Sequence, residues 1–408
     1  MKSSYFCSSV RSKGNIYLAL NIANAKMTPN LNSNEVLPGA KSIALINVFP
    51  LYTGTTSYVL EYSRALKELG FKVRLYQLIY RGEENRYPSA DQYIVGSNLP
   101  IKSLRLPFDL LFTLPSKIEK IGEDIIILTD QSLLKLKVKY PNSITIVTDL
   151  RDLSPYSKNP LRKIFFMYLL RYLKEGDKVI AISDFTAKQI KKITGISKHI
   201  EVVPLCSPYS IKQNVVNERI DRRIHERKEF NALYIAADRP YKNLNLFIEL
   251  AKMMESEEGI KFKFTLVSKL KKRTWLKIKK ISPHNLQVKR EIDDLYRIYF
   301  NTDILLFPSL TEGFGLPTVE AMSFGIPIIY SSLPPMTDIV DNGGIAVDPK
   351  RPVQWVEQMM KMKDSSMYRR MAYAAYNQSK FYSFEKFKER LYNVLSSFCG
   401  SGDSGDKP

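Results

Sequence analysis

Two doubly wound α/β domains in tandem are the fold class that this sequence predicts. Three observations carry the prediction. Short apolar runs of strand length alternate with amphipathic helical stretches, the pattern of a parallel sheet covered by helices. The alternation stops in a polar, charged segment at 207–229 and then begins again. The 408 residues divide, at roughly 150 per domain, into two or three units.

Residues 1–40 are rich in Ser and Asn and show no sustained periodicity. Lys2, Arg11 and Lys13 precede an apolar stretch ending in Ala23-Asn24-Ala25, which looks like a signal-peptidase site. Asn21 and Asn24 interrupt that stretch, so a poorly ordered extension is the expectation, with Met27 as an alternative start. The first domain is expected over 41–206. A strand at 42–48 leads through a turn to a helix at 57–69, capped by Thr55 or Thr56 and closed by Gly70. Strands follow at 72–78, 124–128, 144–148, 178–182 and 199–203, with helices at 161–174 and 185–194. Residues 207–229 read as an interdomain linker. The second domain, 230–382, has strands at 230–236, 261–267, 303–307 and 327–330 and helices at 243–254, 293–300 and 317–324. Helical segments at 352–363, 367–381 and 384–397 finish the chain, and the last of them (383–399) is expected to return to the first domain. Residues 400–408 read as a flexible tail.

Composition excludes several classes. Hydrophobic residues make up 44% and charged residues 25%, which are ordinary globular values and exclude a collagenous or wholly disordered chain. The longest apolar run, 164–170, is far short of the ~20 residues of a spanning helix. Cys7, Cys206 and Cys399 are odd in number and widely spaced, so neither a disulfide framework nor a Cys-rich metal site is expected, in keeping with a reducing compartment. The net charge of +20 calls for an anionic partner. The charge is uneven: residues 261–290 hold eleven Lys/Arg and no Asp/Glu, whereas 301–350 hold one Lys and six Asp/Glu.

The acidic stretch contains the densest motif, Glu312-Gly313-Phe314-Gly315-Leu316-Pro317-Thr318-Val319-Glu320. It follows a buried strand, and ligands of open α/β sheets bind at carboxyl ends of strands. Gly313 and Gly315 allow close backbone approach, and Pro317 suits the first turn of a helix whose free N–H groups can take a phosphate. Two carboxylates, Glu312 before the turn and Glu320 after it, can reach one cleft at different depths, as suits the hydroxyls of two linked sugars. A second patch, Arg239-Pro240-Tyr241-Lys242-Asn243, places two cations after a strand, where they can neutralise a leaving diphosphate.

The glutamate string resembles the signature of retaining glycosyltransferases of family 4 (glycosyl transferases group 1), which have the GT-B fold. Gly325-x-Pro327-Ile328-Ile329 and Gly343-Gly344-Ile345-Ala346-Val347-Asp348-Pro349 resemble the family too. The resemblance implies that Glu312 binds donor-sugar hydroxyls, that Glu320 binds the nucleotide ribose, and that Arg239 and Lys242 hold the diphosphate. It also places Gly313, Phe314, Gly315, Leu316 and Thr318 in the donor site. In the first domain, Pro50-Leu51-Tyr52-Thr53-Gly54-Thr55-Thr56 resembles the family's glycine-rich loop, so Gly54 and Thr55 are candidate contacts to phosphate or acceptor. Relatives carry His-Asp-Leu-x-Pro at another strand end; matching Asp152-Leu153-Ser154-Pro155 puts Arg151 where that His stands, and a shifted register puts Thr148 or Leu150 there. Arg151 can contact phosphate or stabilise charge but cannot shuttle protons. Asp152 joins it as a candidate.

The implied activity is a metal-independent hexosyl transfer from a nucleotide-sugar to an acceptor hydroxyl with retention, with no cofactor besides the co-substrate. The implied acceptor is a glycan, a lipid-linked glycan or a protein, and the implied location is cytoplasmic. Two rivals remain: a GT-B protein without transferase activity, and a basic nucleic-acid binder, for which no binding motif is present. Two basic segments bear on membranes. The apolar helix at 161–174 reads as buried against the sheet. The stretch Lys269–Lys280, with Trp275 among its lysines, is the expected contact with an anionic bilayer, with a solvated helix face as the alternative.

Overall fold

The computed structural model describes residues 41–49, 57–81, 90–100, 102–118, 121–155, 159–226, 229–255, 261–281, 283–290 and 294–400. The extension 1–40, the loop residues Gly54 and Thr55 and the tail beyond 400 lie outside the described residues.

Two parallel sheets form. The first comprises β1 (Ser42–Asn47), β2 (Lys72–Ile79), β3 (Gln92–Val95), β4 (Ile125–Leu128), β5 (Ile144–Val147), β6 (Val179–Ala181) and β7 (Ile200–Val202), in the order β3-β2-β1-β4-β5-β6-β7. The second comprises β8 (Glu229–Ile235), β9 (Lys261–Val267), β10 (Leu286–Lys289), β11 (Ile304–Phe307), β12 (Ile328–Ser331) and β13 (Gly344–Val347), in the order β10-β9-β8-β11-β12-β13. Every strand pair is parallel. In each sheet the strand order reverses beside its first strand, between β1 and β4 and between β8 and β11. Such reversals open a crevice at the carboxyl ends of the strands.

The central strands follow from their sequences. Residues of β5, β11 and β12 are buried throughout, so both faces need apolar side chains, as in Ile304-Leu305-Leu306-Phe307. Strands β3, β10 and β13 have no counterpart among the expected elements. All three are sheet edges with partial burial, and their mixed sequences carry little apolar signal.

The segment 207–229 is more than a tether. Gln213–His225 is a helix whose Val216 and Ile220 are buried against the second domain. Its charges, which suggested a solvated linker, are partly internal. Arg219 is buried and donates to the carbonyls of Gly325 and Thr302, and Arg223 pairs with Asp303 at the start of β11. The terminal helix Phe384–Gly400 lies on the first domain. Phe387 meets the Tyr62 ring edge-on at 4.8 Å, Lys388 pairs with Glu68 at 2.9 Å, and the Arg64 guanidinium sits 3.8 Å from the Phe384 ring centre.

Two basic helices pack differently from the sequence expectation. In the stretch Lys269–Lys280, Leu270 and Ile278 are buried, while Trp275 packs on the core with the Arg290 guanidinium 5.8 Å from its ring. Only Leu276 of its apolar residues is exposed, because the helix Lys272–Ile281 uses its apolar stripe to cover the sheet. The helix expected to be buried, now seen as Pro160–Leu170, buries only Phe166, Leu169 and Leu170.

Truncating Phe387 to Ala removes a fully buried ring that joins the terminal helix to the first domain. We expect a loss of about 3–5 kcal/mol, read from chemical unfolding, with the terminal helix becoming protease-sensitive first.

Candidate active site

The loops that end β8 and β11 meet at the reversal point of the second sheet. After β8, Pro240–Lys242 forms a short 3-10 turn, and Asn243 (φ 49°) redirects the chain into the helix Leu244–Met253. Just before this turn, the Asp238 carboxylate accepts the backbone N–H of Lys271 at 2.8 Å and holds the loop. After β11, the chain runs through Glu312 to Gly315, whose φ of 88° suits glycine, and enters the helix Leu316–Ser323 with Pro317 in its first turn. The loops are pinned together. The N–H of Leu310 donates to the carbonyl of Tyr241 at 2.7 Å, and the buried Tyr234 hydroxyl donates to the carbonyl of Lys242 at 2.6 Å.

Lys242 and Glu312, separate in sequence, form a buried ion pair with Nζ 2.5 Å from Oε1. Burial depresses the Lys242 pKa below its ordinary value, and the Glu312 charge works against that. The first domain supplies a third partner. Arg151, in the 3-10 turn Arg151–Leu153 after β5, lies 3.6 Å from the other Glu312 oxygen. Its guanidinium also binds Asp149 at 2.6 Å and donates to the Tyr241 hydroxyl at 3.0 Å. Burial opposes the Arg151 charge, but Asp149 outweighs it and keeps the guanidinium firmly protonated. Burial likewise opposes the Asp149 charge, and Arg151 more than compensates, so the carboxyl stays below its usual range.

Gly313 marks where the domains touch. A Cβ there would lie 2.3 Å from the carbonyl oxygen of Thr148 and 2.6 Å from the Asp149 Cβ. The Ser183 hydroxyl, after β6, donates to the Gly313 carbonyl at 3.0 Å. Phe314 is buried edge-on against Tyr382 at 5.7 Å, and Leu316 is buried. The Thr318 hydroxyl donates to the carbonyl of Gly315 at 2.8 Å, so it holds the turn. Glu320 is buried one helical turn further in and accepts the Tyr299 hydroxyl at 2.5 Å. Desolvation pushes its pKa up to about 7. Arg239 is exposed at the rim, and Asp152 lies within the Arg151–Leu153 turn.

The string at 312–320 thus brings Glu312 and Gly313 to one cluster with Lys242 and Arg151, while Glu320 stands apart on its helix. Sequence reasoning passed over Asp149, Tyr241 and Asp130. Asp130 is buried after β4, accepts the Ser132 N–H and the Thr148 hydroxyl, and has its pKa raised to about 6 by burial. The available signal was position: each polar residue directly follows an apolar strand or sits between the two expected cations. The structure also sets Thr148, at the end of β5, against Gly313, while Arg151 reaches the cluster from the next turn.

Two family descriptions match this chain. "Glycosyltransferase Family 4" matches residues 52–206, and "Glycosyl transferases group 1" matches residues 217–378. The chain belongs to the family 4 glycosyltransferases. Like other members it has the GT-B fold. It is 24% identical over 267 residues to the O-antigen chain mannosyltransferase RfbU of Salmonella typhimurium, a match covering 62% of this chain and 69% of that protein. It is also 24% identical over 272 residues to the serotype-specific mannosyltransferase WbdA of Escherichia coli, covering 61% of this chain but only 33% of the relative. Among solved structures, sucrose-phosphate synthase from Thermosynechococcus elongatus superposes with a TM-score of 0.71 at 15% identity, covering 89% of this chain and all of that one. Anabaena HepE in complex with UDP-glucose gives 0.66 at 15% identity, covering 87% and 99%.

Because any side chain at 313 would collide with the backbone of the other domain, Gly313→Ala must hold the domains apart. The variant should keep its secondary structure by circular dichroism yet lose about 10²-fold in glycosyl transfer, the scale of a 1 Å misplacement of catalytic groups.

Proposed function

We propose that this glycosyltransferase moves a hexosyl group from a nucleoside diphosphate sugar to an acceptor hydroxyl, with retention at the anomeric carbon and with protein cations in place of a metal. The observation that carries the reading is the buried cluster in which Lys242 and Arg151, from two domains, converge on Glu312 at the mouth of the second sheet. In this reading Lys242 and the rim cation Arg239 hold the donor diphosphate. As the anomeric bond breaks, the leaving diphosphate gains charge, and preorganised cations in a dry site stabilise that charge strongly. An arriving diphosphate also restores the charge that burial weakens on Lys242. In this reading Glu312 accepts hydrogen bonds from hydroxyls of the donor sugar and Glu320 from those of the ribose. Arg151 faces the acceptor side, where a permanently charged guanidinium acts by electrostatics alone.

The acceptor in this reading is a glycan or a lipid-linked glycan. Because RfbU and WbdA are named as mannosyltransferases, mannosyl donors are the first to test. Among the described residues no helix is long and apolar enough to cross a membrane. A cytoplasmic site with peripheral membrane association is part of the proposal.

A thermal-shift screen against UDP-, GDP- and ADP-sugars identifies the donor, since a ligand at a hundred times its Kd stabilises by about 2.7 kcal/mol. No shift with any of them, together with salt-sensitive binding to single-stranded or duplex nucleic acid, would favour a nucleic-acid binder instead. Lys242→Ala should lower turnover by about 10²-fold while leaving acceptor affinity nearly unchanged; normal turnover would move the diphosphate elsewhere.

The pH dependence follows from Glu320. Its carboxyl must be ionised to accept ribose hydroxyls, and burial raises its pKa from the ordinary 4.5 to about 7. The protonated form therefore dominates below pH 7, so nucleotide affinity should fall as pH drops, by up to about tenfold per unit. Glu320→Gln should bind more weakly at pH 8 and lose that slope, as read by calorimetric titration of the nucleotide alone.

A further inference from the structure

The helix Pro160–Leu170 has two opposite apolar faces. One packs inward through Phe166, Leu169 and Leu170. The other carries Leu161, Ile164, Met167 and Tyr168, spaced i, i+3, i+6 and i+7, and it faces solvent, with Leu161 76% and Ile164 65% exposed. Surface helices of globular proteins normally present polar side chains there, and a contiguous apolar face marks a docking surface. Its borders are cationic. Lys163, Arg171 and Lys174 are exposed around it, and residues 153–174 contain no Asp or Glu. On the neighbouring segment, whose Leu110 and Leu114 form the cluster that Phe165 packs against, Phe112 is 60% exposed.

We propose that this face docks on a bilayer containing anionic lipid, with its apolar side chains at the headgroup boundary and its cations among the lipid phosphates. Large exposed apolar side chains framed by cations, with no acid on the helix itself, are the chemistry of an interfacial helix. The stretch Lys269–Lys280 lacks one half of that chemistry, since its apolar side chains, apart from Leu276, cover the sheet. The location suits the site. The helix starts at Pro160, nine residues beyond Arg151, and the charge of Arg162 in its first turn is felt at Asp149. Docking here sets the Arg151 side of the cleft against the membrane surface. If the transferase reading holds, the acceptor is then a lipid-linked glycan presented at that surface, and this consequence alone rests on that reading.

The test is flotation of the purified full chain with vesicles of phosphatidylglycerol and phosphatidylethanolamine, against phosphatidylcholine vesicles, at low salt. We expect binding to the anionic vesicles that weakens as salt rises. Leu161→Asp with Ile164→Asp should reduce binding at least about tenfold, because burying apolar area drives such docking. Lys163→Gln and Arg171→Gln, which spare the apolar face, should each reduce it by about fivefold. Lys271→Glu with Lys272→Glu and Lys279→Glu should change it less than about threefold. Thermal midpoints and nucleotide-induced shifts show whether each variant is folded; if the double aspartate variant is not, the two glutamine variants decide. Three results would overturn the proposal: wild type that ignores anionic vesicles, binding lost through the 271/272/279 reversal but not through the helix 160–170 variants, or a dimer by ultracentrifugation that the aspartate pair converts to monomer. Flotation needs no sugar donor, so its failure leaves the transferase reading standing, and a protein that floats but transfers nothing would count against that reading alone.

Discussion

A carboxylate buried between two domains has to be compensated, and Glu312 is compensated from both sides. Removing an ionised carboxylate from water costs several kcal/mol even after relaxation, so a lone buried glutamate would take up a proton or pull water in. Lys242 at 2.5 Å and Arg151 at 3.6 Å supply the countercharge, and Asp149 and Tyr241 hold Arg151 in place. Lys242 and Arg151 are burdened by desolvation in turn, so the cluster stands or falls as a unit. Its members come from the loops after β5, β8 and β11. The relative position of the two sheets is therefore tied to the pairing of one glutamate.

That arrangement also accounts for the backbone around it. For Glu312 to reach Arg151, the loop after β11 must lie against the ends of β5 and β6, and only a residue without a Cβ fits beneath Thr148 and Asp149. The Ser183 hydroxyl then satisfies the Gly313 carbonyl, which the contact has removed from water. Farther back, Tyr234 and the Leu310–Tyr241 backbone bond fix the two loops of the second domain to each other, so Lys242 and Glu312 move together. The terminal helix adds a second tie between the domains through Phe387 on Tyr62 and Lys388 on Glu68.

Glu320 works by a different balance. It is buried beside Tyr299 with no cation paired to it among the described residues, so its proton is held more tightly than usual. In the proposed reading, a pair of ribose hydroxyls stabilises the anion by donating two hydrogen bonds. Glu312 has permanent cationic partners, while Glu320 has only the Tyr299 hydroxyl beside it. Two glutamates eight residues apart therefore have different electrostatic lives.

The alternating apolar runs determined the order of the central strands' appearance, because a strand buried on both faces must be apolar along its whole length. The string 312–320 likewise determined its own local shape: glycine at 315 allows a positive φ, and Pro317 starts a helix. Edge strands β3, β10 and β13 were not legible, because half-exposed strands carry mixed residues. The helix Gln213–His225 was masked by charges whose partners, Asp303 and the carbonyls of Gly325 and Thr302, lie about a hundred residues away. The two basic helices show the limit most clearly. Both are amphipathic or apolar with flanking lysines and arginines, and their sequences do not say which face the sheet will take. Only the tertiary structure decided that Trp275 turns inward and Ile164 outward, because burial is set by what packs against a helix and not by the helix itself. The same holds for Arg151, Asp149 and Tyr241: the convergence of three strand ends, not their spacing in the chain, joined them to Glu312.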